Sequence, residues 1–458
     1  MQRTSVRRNR MAVIAAGGLL SFAMSTASAQ VNSVVKFFKD KGIEAGGWVN
    51  GGATFNPSHS TFGYNGPVTF GDRANQAQLN QFNIFVQRAV VTEGKSWDLG
   101  FRADFMFGTD SIFTQAYGNP AFDVNSGAAM PNRGTWDLDL CCNSSRTYGI
   151  ALPQAFVEAY APIGNGLNVK AGHFYTPIGY ESVPAPNNFF YSHAYTMQYG
   201  EPFTHTGVLT HYTVNKNVTF MSGGTTGSGT GGWDGNFNRQ MDNWGGIGGL
   251  TWTSDDKRSS ANIAGTGSTA SSRSNNFWGM YSIVLKHMIT PKTHFILQHD
   301  HGYADGVLIN NQTMSNVTKE AQWYGINTHM YYDVLPDFSV GVRGEWFRDR
   351  DGFRVFNPGR VSAATNIGPD GLGHSYAVQG GGAIAFSQPA DYYAVTIGAN
   401  WKPAKRLKIE SKALQQFNVR PNIRYDRADG LVNTAYMPFG GGTSKDQVLF
   451  SMDFMLPF

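Results

Sequence analysis

Apolar and polar side chains alternate with a period of two along repeated segments of about ten residues. Four segments show the apolar face clearly: Trp97, Leu99, Phe101, Ala103, Phe105 and Phe107; Phe338, Val340, Val342, Gly344 and Trp346; Tyr393, Val395, Ile397, Ala399 and Trp401; and Val448, Phe450, Met452, Phe454, Leu456 and Phe458. Successive side chains of a strand point to opposite faces, so each segment predicts a strand with one apolar face. Strands of soluble sandwiches usually have about 5 or 6 residues, whereas a tilted membrane-spanning strand needs about 9 to 11. The segment length therefore favours strands that cross a membrane.

The connectors between these segments alternate in length. Short, turn-like connectors lie at 92–96, 162–166, 215–216, 254–257, 290–291, 333–337 and 402–405, and long polar ones at 56–79, 108–150, 176–204, 224–244, 266–275, 304–320, 349–390 and 427–446. From a first strand at 43–55 to a last at 447–458, they join about sixteen strands whose two ends lie on one side. Short periplasmic turns and long extracellular loops are typical of even-stranded outer-membrane barrels. We predict an all-β fold, a transmembrane antiparallel β-barrel over residues 43–458.

The first 29 residues have the pattern of a cleaved signal peptide. The pattern begins with four cationic residues, Arg3, Arg7, Arg8 and Arg10, and continues with a mostly apolar stretch at 11–24. It ends with a small-residue cleavage site, in which Ala27 and Ala29 precede Gln30. The pattern predicts export by the general secretory route and a mature chain that begins near Gln30. Residues 30–42 would then be a short periplasmic segment. Apolar residues at 31, 34, 35 and 38 suit either an amphipathic helix or a loosely ordered tail.

The charge balance excludes nucleic-acid binding based on overall basicity. The chain has 36 Lys and Arg residues against 32 Asp and Glu residues. Four of the cations belong to the predicted signal peptide, so 36 minus 4 leaves 32 cations against 32 anions in the mature chain. A chain without net positive charge lacks the electrostatic footprint of a nucleic-acid partner.

Aromatic residues indicate an outer-membrane location. No run of about 18 apolar residues follows the leader, so we expect no membrane-spanning helix. Aromatic residues make up 14% of the chain. Seven lie near predicted strand ends, where girdles form at headgroup level: Trp48, Trp97, Tyr160, Tyr212, Trp346, Trp401 and Tyr436. The terminal Phe458 is similar to the C-terminal aromatic residue of bacterial outer-membrane proteins. We therefore expect contacts with outer-membrane lipid and lipopolysaccharide.

Several motifs resemble those of one protein family. QAFVEAY at 154–160, GHFYTPIGYE at 172–181 and GEPFTHTGV at 200–208 are similar to segments of the "putative β-barrel porin-2" family, the OmpL-like porins. GGWVNGG at 46–52, Asn56-Pro57 and NIRYD at 422–426 are similar as well, so the matches extend over nearly the whole mature chain. The resemblance implies an outer-membrane, porin-like barrel, and it supplies no catalytic residue.

Other motifs favour structural interpretations. The GxGxxG spelling at 227–232 lies in a Gly/Ser/Thr tract and predicts a flexible outer loop. His299 and His301 share a strand face near His294, and without a third ligand they predict polar wall or rim residues. The Cys141-Cys142 pair is a loop staple, a strained disulfide or a reactive pair in a long outer loop. CxxCH, HExxH and GxSxG motifs are absent from the sequence. We expect no enzyme activity, cofactor or metal.

A barrel of about sixteen tilted strands encloses more space than its inward side chains fill, which leaves an aqueous channel. We therefore predict a porin for passive diffusion of small hydrophilic solutes or ions. Parity places thirteen charged residues on the lumen wall: Arg102, Asp104, Glu158, Lys170, Lys286, Asp300, Arg343, Glu345, Lys408, Glu410, Lys412, Arg420 and Arg424. Eight cations against five anions indicate a mild anion preference. We expect these side chains to be hydrated, and Gly341→Ser on the same face to affect folding little.

The third long connector, 176–204, is the strongest candidate for a constriction. It carries Glu181 and Glu201 among aromatic residues, and four prolines stiffen it: Pro177, Pro184, Pro186 and Pro202. Resemblance to general porins implies that such a loop folds into the lumen, and an outward surface loop is the alternative. Two other functions stay open: a surface receptor, adhesin or sheath around a partner protein, and an outer-membrane enzyme such as a lipase. Assembly as a homotrimer also stays open.

Overall fold

The computed structural model describes residues 38, 40–58, 63–92, 94–114, 148–227, 243–271, 274–310, 316–355, 388–432 and 437–458. Within these residues, sixteen strands form one closed antiparallel barrel. Each strand pairs with its neighbours in sequence, and β1 closes the barrel against β16 through pairs such as Trp48–Pro457 and Phe55–Phe450. The predicted fold class is confirmed. No helix in the described part of the chain is long and apolar enough to span a membrane.

The strand bounds are β1 Glu44–Phe55, β2 Gln76–Arg88, β3 Asp98–Gly108, β4 Gly149–Ala161, β5 Leu167–Tyr175, β6 Thr204–Thr213, β7 Val218–Thr226, β8 Trp244–Thr253, β9 Ser259–Ser271, β10 Ser274–Thr290, β11 Thr293–Asn310, β12 Asn316–Leu335, β13 Phe338–Asp349, β14 Ala390–Trp401, β15 Asn418–Asp429 and β16 Asp446–Pro457. Short helical turns lie at Ser111–Thr114, Ala185–Asn187 and Thr196–Gly200, and two four-residue helices are α1 Pro403–Arg406 and α2 Lys412–Gln415. The strands have 9 to 20 residues, which is long enough to cross a membrane at a tilt.

Alternate residues of the strands face the lumen and the outside, as the sequence predicts. On β13, Val340 and Val342 are exposed on the outer face, whereas Arg343, Glu345 and Phe347 are buried on the inner face. An outer surface that is apolar at every second residue is what lipid requires of a barrel strand. The assigned parity is therefore correct for this strand.

Three connector predictions need correction in length. The outer links at 272–273 and 311–315 are shorter than predicted, because β9 to β12 extend to between 13 and 20 residues. The β14–β15 link is longer than the predicted turn, because it runs from residue 402 to residue 417 and contains α1 and α2. Pro403 occupies the first turn of α1, where its fixed φ suits a helix.

The predicted placement on the lumen wall is wrong for three charged residues: Lys408, Glu410 and Lys412. All three lie in the β14–β15 link, and the side chains of Lys408 and Glu410 are exposed there. Leu407 and Ile409 alternate with these charged residues and so imitate a strand in the sequence. Lys408 adopts a positive φ of 54°, which an extended strand does not contain.

The N-terminal predictions fall mainly outside the described residues. The carbonyl of Phe38 accepts hydrogen bonds from the backbone N–H groups of Lys41 and Ile43, at 3.1 and 2.8 Å, just before β1. The signal peptide at 1–29 and the amphipathic helix in 30–42 stay predictions.

The hydrophobic core lies inside the barrel. Its largest members come from the wall, from the connector between β5 and β6 and from other outer links: Trp48, Phe70, Phe113, Phe174, Tyr195, Tyr199, Phe203, Trp278, Trp323, Phe347, Tyr392 and Phe439. Small barrels fill their interior with wall side chains alone, whereas a barrel of this width needs additional chain to do so. The β5–β6 connector provides part of that chain, together with the outer links that carry Phe70, Phe113 and Phe439.

Candidate functional site: the lumen and the third outer loop

The third outer loop, residues 176–203, lies inside the lumen. It leaves the wall at Tyr175 on β5 and returns at Thr204 on β6, and most of its side chains are buried. The amide of Asn400 on β14 donates to the carbonyl of Phe189 over 2.7 Å, so the loop reaches across to the periplasmic half of the opposite wall. The structure thus places the loop inward and not on the outer surface.

Three arginines of β13 and β15 hold the loop against the wall. Arg343 Nη1 donates to Glu181 Oε1 and to the Ser192 carbonyl, both over 2.7 Å. Arg420 Nη1 donates to the carbonyls of Ala185 and Asn188 over 2.8 and 2.6 Å. Arg424 Nη1 donates to the His193 carbonyl over 2.8 Å. A guanidinium group has five donors in a fixed geometry and no acceptor, which suits it to binding several carbonyls at once. These contacts fix the path of the loop over about half of its length.

The same arginines are neutralised by buried carboxylates. Arg343 pairs with Glu181 and Glu345, Arg424 with Glu345 and Asp426, and Arg420 with Asp453. Arg343 and Arg424 have no exposed surface, and Arg420 is 2% exposed. The expectation that five residues are hydrated wall residues is therefore wrong, because the loop covers them: Asp300, Arg343, Glu345, Arg420 and Arg424.

Glu181 is the loop's own counterion for this cluster. Burial opposes its ionisation, but the Arg343 guanidinium and His193 outweigh burial and hold the pKa of Glu181 well below its usual range. Its second oxygen, Oε2, accepts from the backbone N–H of Ala194 at 2.8 Å. Glu181 is thus a buried structural anion and not an exposed constriction charge.

The loop is also bound to β2 and to β11–β13. The anchoring contacts are Ala185 N–H to Gln81 Oε1, 3.0 Å; Tyr180 N–H to Gln298 Oε1, 3.1 Å; Asn327 Nδ2 to Thr196 Oγ1, 2.5 Å; Trp323 Nε1 to the Gly200 carbonyl, 3.0 Å; and Tyr195 N–H to Glu345 Oε2, 2.6 Å. Sequence parity could place Gln81 and Gln298 on the inner face. Nothing in the sequence distinguished these uncharged residues from other polar wall residues.

A model of the family described as "Putative beta-barrel porin-2, OmpL-like" matches residues 42–458. The chain belongs to this family. A comparison with curated proteins found no match.

Solved structures of outer-membrane channels are similar to this barrel at low sequence identity. OprB of Pseudomonas putida has a TM-score of 0.51 and 13% identity, with 92% of this chain and 96% of that chain covered. The anion-selective porin from Comamonas acidovorans has a TM-score of 0.52 and 7% identity, with 91% and 99% covered. The outer membrane channel DcaP of Acinetobacter baumannii has a TM-score of 0.47 and 9% identity, with 91% and 97% covered. Family and fold together identify a porin channel of the bacterial outer membrane.

Two charge pairs of this porin lie on the wall segment of β3–β5. Arg102 Nε lies 2.6 Å from Asp104 Oδ1, and Lys170 Nζ lies 3.9 Å from Glu158 Oε1. The side chains of Arg102 and Lys170 are each 22% exposed. Lys286, on β10, is exposed, and its Nζ lies 4.9 Å from the ring centroid of Tyr180. Four of these five predicted wall residues keep exposed side-chain surface, and the buried Asp104 side chain is paired with Arg102.

The tip of the loop separates two cavities in the periplasmic half of the porin. A cavity of about 610 Å³ is lined by loop residues together with Tyr331, Lys292 and Lys402. A second cavity, of about 680 Å³, is lined by loop residues together with Trp48, Phe85 and Arg102. Pro186 and Asn187 contribute to both cavities. The loop therefore narrows the lumen along much of its depth.

The remaining sequence motifs add no metal or cofactor site to the described structure. His299 and His301 lie beside Tyr281 and Tyr324 on the outward face of the wall, with ring centroids 5.7 to 5.8 Å apart. No group of three or more potential metal-binding side chains occurs within the described ranges. Cys141, Cys142 and residues 228–232 of the GxGxxG spelling lie outside them.

Proposed function

We propose that the porin conducts small hydrophilic solutes and ions passively, with a mild preference for anions. The observation that carries this proposal is the pair of cavities on either side of the loop tip, about 610 and 680 Å³ in volume, which leave room for solutes beside the third outer loop. A lumen that is partly obstructed by an inward loop selects by size and by wall charge.

The wall charges along this path have a small positive balance. Arg102, Lys170 and Lys286 stand against Asp104 and Glu158, so three cations minus two anions leave one positive charge. The buried arginines do not enter this sum, because buried carboxylates neutralise them. We therefore keep the predicted anion preference, but we attribute it to the cations of β3, β5 and β10 and not to the arginines of β13 and β15.

Reversal potentials in a salt gradient test this proposal. Replacing Lys170 and Lys286 together by Met should shift the reversal potential toward cation selectivity, and the shift should shrink in about 1 M salt as screening tightens. Lys216→Met is the matched control, because Lys216 pairs with Asp255 on an exposed periplasmic turn. An unchanged reversal potential in the Lys170/Lys286 variant would contradict the proposed path.

We also propose that the protein has no enzyme activity, since its family is one of porins. Assembly as a homotrimer and contact with lipopolysaccharide stay predictions. Native mass measurement of the detergent-solubilised protein, with and without added lipopolysaccharide, tests both.

A further inference from the structure

One glutamine of β11 connects both ends of the third outer loop to the wall. The backbone N–H of Tyr180, at the beginning of the loop, donates to Gln298 Oε1 over 3.1 Å. Gln298 Nε2 lies 3.1 Å from Glu201 Oε2, at the end of the loop, and 2.9 and 3.0 Å from the two carboxylate oxygens of Asp300. Gln298 thus places two carboxyl groups next to each other.

The two carboxyl groups are buried and differ from the acids that bind the three arginines. Glu201 is 1% exposed and Asp300 has no exposed surface. Gln298 Nε2 has two hydrogens for three carboxylate oxygens, and Oε1 of Glu201 is buried without a hydrogen-bond partner. The acids that bind the arginines, in contrast, each face a guanidinium group. The acceptors around Gln298 therefore outnumber the hydrogens when both acids are ionised.

Within the described residues, no lysine or arginine side chain is paired with Glu201 or Asp300, and the guanidinium group of Arg354 donates instead to the Tyr199 carbonyl over 2.7 Å. Glu181 of the loop lies near Glu201, but it is itself an acid and is already paired with Arg343. His299, on β11, lies on the outward face, where its Nδ1 bonds the Gly325 carbonyl at 3.0 Å. The other side chains around the pair carry no charge: Ser282 of β10, Trp323 of β12 and the ring of Phe347 of β13.

Two adjacent ionised carboxylates are unfavourable in such a site, because both lose hydration and repel each other. Burial and the neighbouring Asp300 raise the pKa of Glu201 well above its usual range. One proton on the pair removes the repulsion and supplies the missing donor.

We propose that Glu201 and Asp300 share a proton that fastens the end of the third outer loop to β11, and that loss of this proton releases the loop and widens the channel. The inference rests on the channel conducting ions.

The geometry explains why ionisation would move the loop. A Cβ atom on Gly179 would lie 1.8 Å from Glu201 Oε2, so the carboxyl group is packed against that backbone and cannot retreat in this direction. Relief of the repulsion therefore requires a shift of residues 199–201. The hydrogen bond from Trp323 to the Gly200 carbonyl would break with that shift.

Single-channel conductance as a function of pH tests the proposal. As pH rises from about 5 to about 9, the wild-type channel should change from a low to a higher conductance, because an acid with a raised pKa loses its proton in this range. Glu201→Gln leaves a single carboxylate beside an amide donor, which is the charge of the singly protonated pair, and should stay in the low-conductance state at every pH. Glu44→Gln, which changes an exposed carboxylate at the periplasmic start of β1, should retain the wild-type change.

Infrared spectroscopy of the folded barrel gives a readout that does not depend on conduction. The wild type should show the carbonyl band of a buried protonated carboxylic acid, which disappears at high pH. Glu201→Gln and Asp300→Asn should lack this band, because the remaining acid gains an amide donor. A channel that does not conduct but shows the band would contradict the proposed function alone. Absence of the band in the wild type, or a pH-dependent conductance change that survives in both variants, would overturn the shared proton.

Discussion

Arg343 shows how the lumen stabilises a charge without water. Its guanidinium group bonds Glu181, Glu345 and the Ser192 carbonyl, and its Nη2 also lies 3.2 Å from Thr396 Oγ1. A buried charge is tolerated only when it is paired and its donors are satisfied. These partners come from β13, from β14 and from the loop, so Arg343 connects three parts of the chain.

Replacing Arg343 should therefore destabilise the protein more than replacing an exposed arginine. Arg343→Met leaves Glu181 and Glu345 with less compensation in a buried site, which should lower the free energy of unfolding by about 3–5 kcal/mol. The control is Arg427→Met, because Arg427 and Asp429 form an exposed pair on β15 and their loss should change stability little. Urea unfolding, followed by gel mobility, measures both variants, and equal midpoints would show that the buried cluster does not stabilise the fold.

The strands and the third outer loop differ in how far the sequence determines them. Strand parity is a local property, so the alternation along β3 and β13 correctly separated Arg102 and Arg343 from the lipid-facing residues. The inward path of the loop depends on contacts such as Arg343 with Glu181, which are 162 residues apart in the chain. A single sequence contains no signal for such a pairing, so the burial of Arg343 could not be predicted.

Gly341 illustrates the same limit at the element level. The sequence predicted that Gly341→Ser would affect folding little, because the residue faces the lumen. In the structure, a Cβ atom at Gly341 would lie 2.7 Å from both Phe189 Cε1 of the loop and Tyr331 Cδ1 of β12. The rings of Phe189 and Tyr331 stack with centroids 4.2 Å apart. We therefore replace this expectation by the opposite prediction, because the loop tip packs onto this glycine.

We predict that Gly341→Ala displaces the tip of the third outer loop. Overpacking of this kind should lower the free energy of unfolding by about 1–3 kcal/mol and change the single-channel conductance. Gly344→Ala on the same strand is the control, because a Cβ atom there would meet only Thr328 Oγ1, at 3.7 Å. If Gly341→Ala and Gly344→Ala have the same stability and conductance, the tip does not depend on this contact.

At the scale of the whole molecule, the barrel depends on one seam between the two ends of the chain. Phe458 and Gly47 exchange backbone hydrogen bonds of 2.9 and 3.0 Å, which extend the β1–β16 pairing to the last residue. The ring of Phe458 stacks on Phe82 of β2, with centroids 6.4 Å apart, and covers Gly47. Closure removes the exposed edges that an open sheet would present to lipid. The terminal residue thus connects β16 to both β1 and β2.

The last prediction concerns this seam. Phe458→Ala keeps the backbone pairs but removes the ring that bridges β16 to β2, so a smaller fraction of the chain should close into a barrel. Phe450→Ala is the matched control, because Phe450 is also an exposed aromatic residue of β16 and packs only on Phe55 across the seam in the aromatic contacts of the described residues. Both changes remove a similar apolar area from the lipid face, so any difference between them reports on the terminal bridge. The folded fraction is measured as the faster-migrating band of unheated samples in detergent gels, and equal fractions for the two variants would contradict the proposed importance of Phe458.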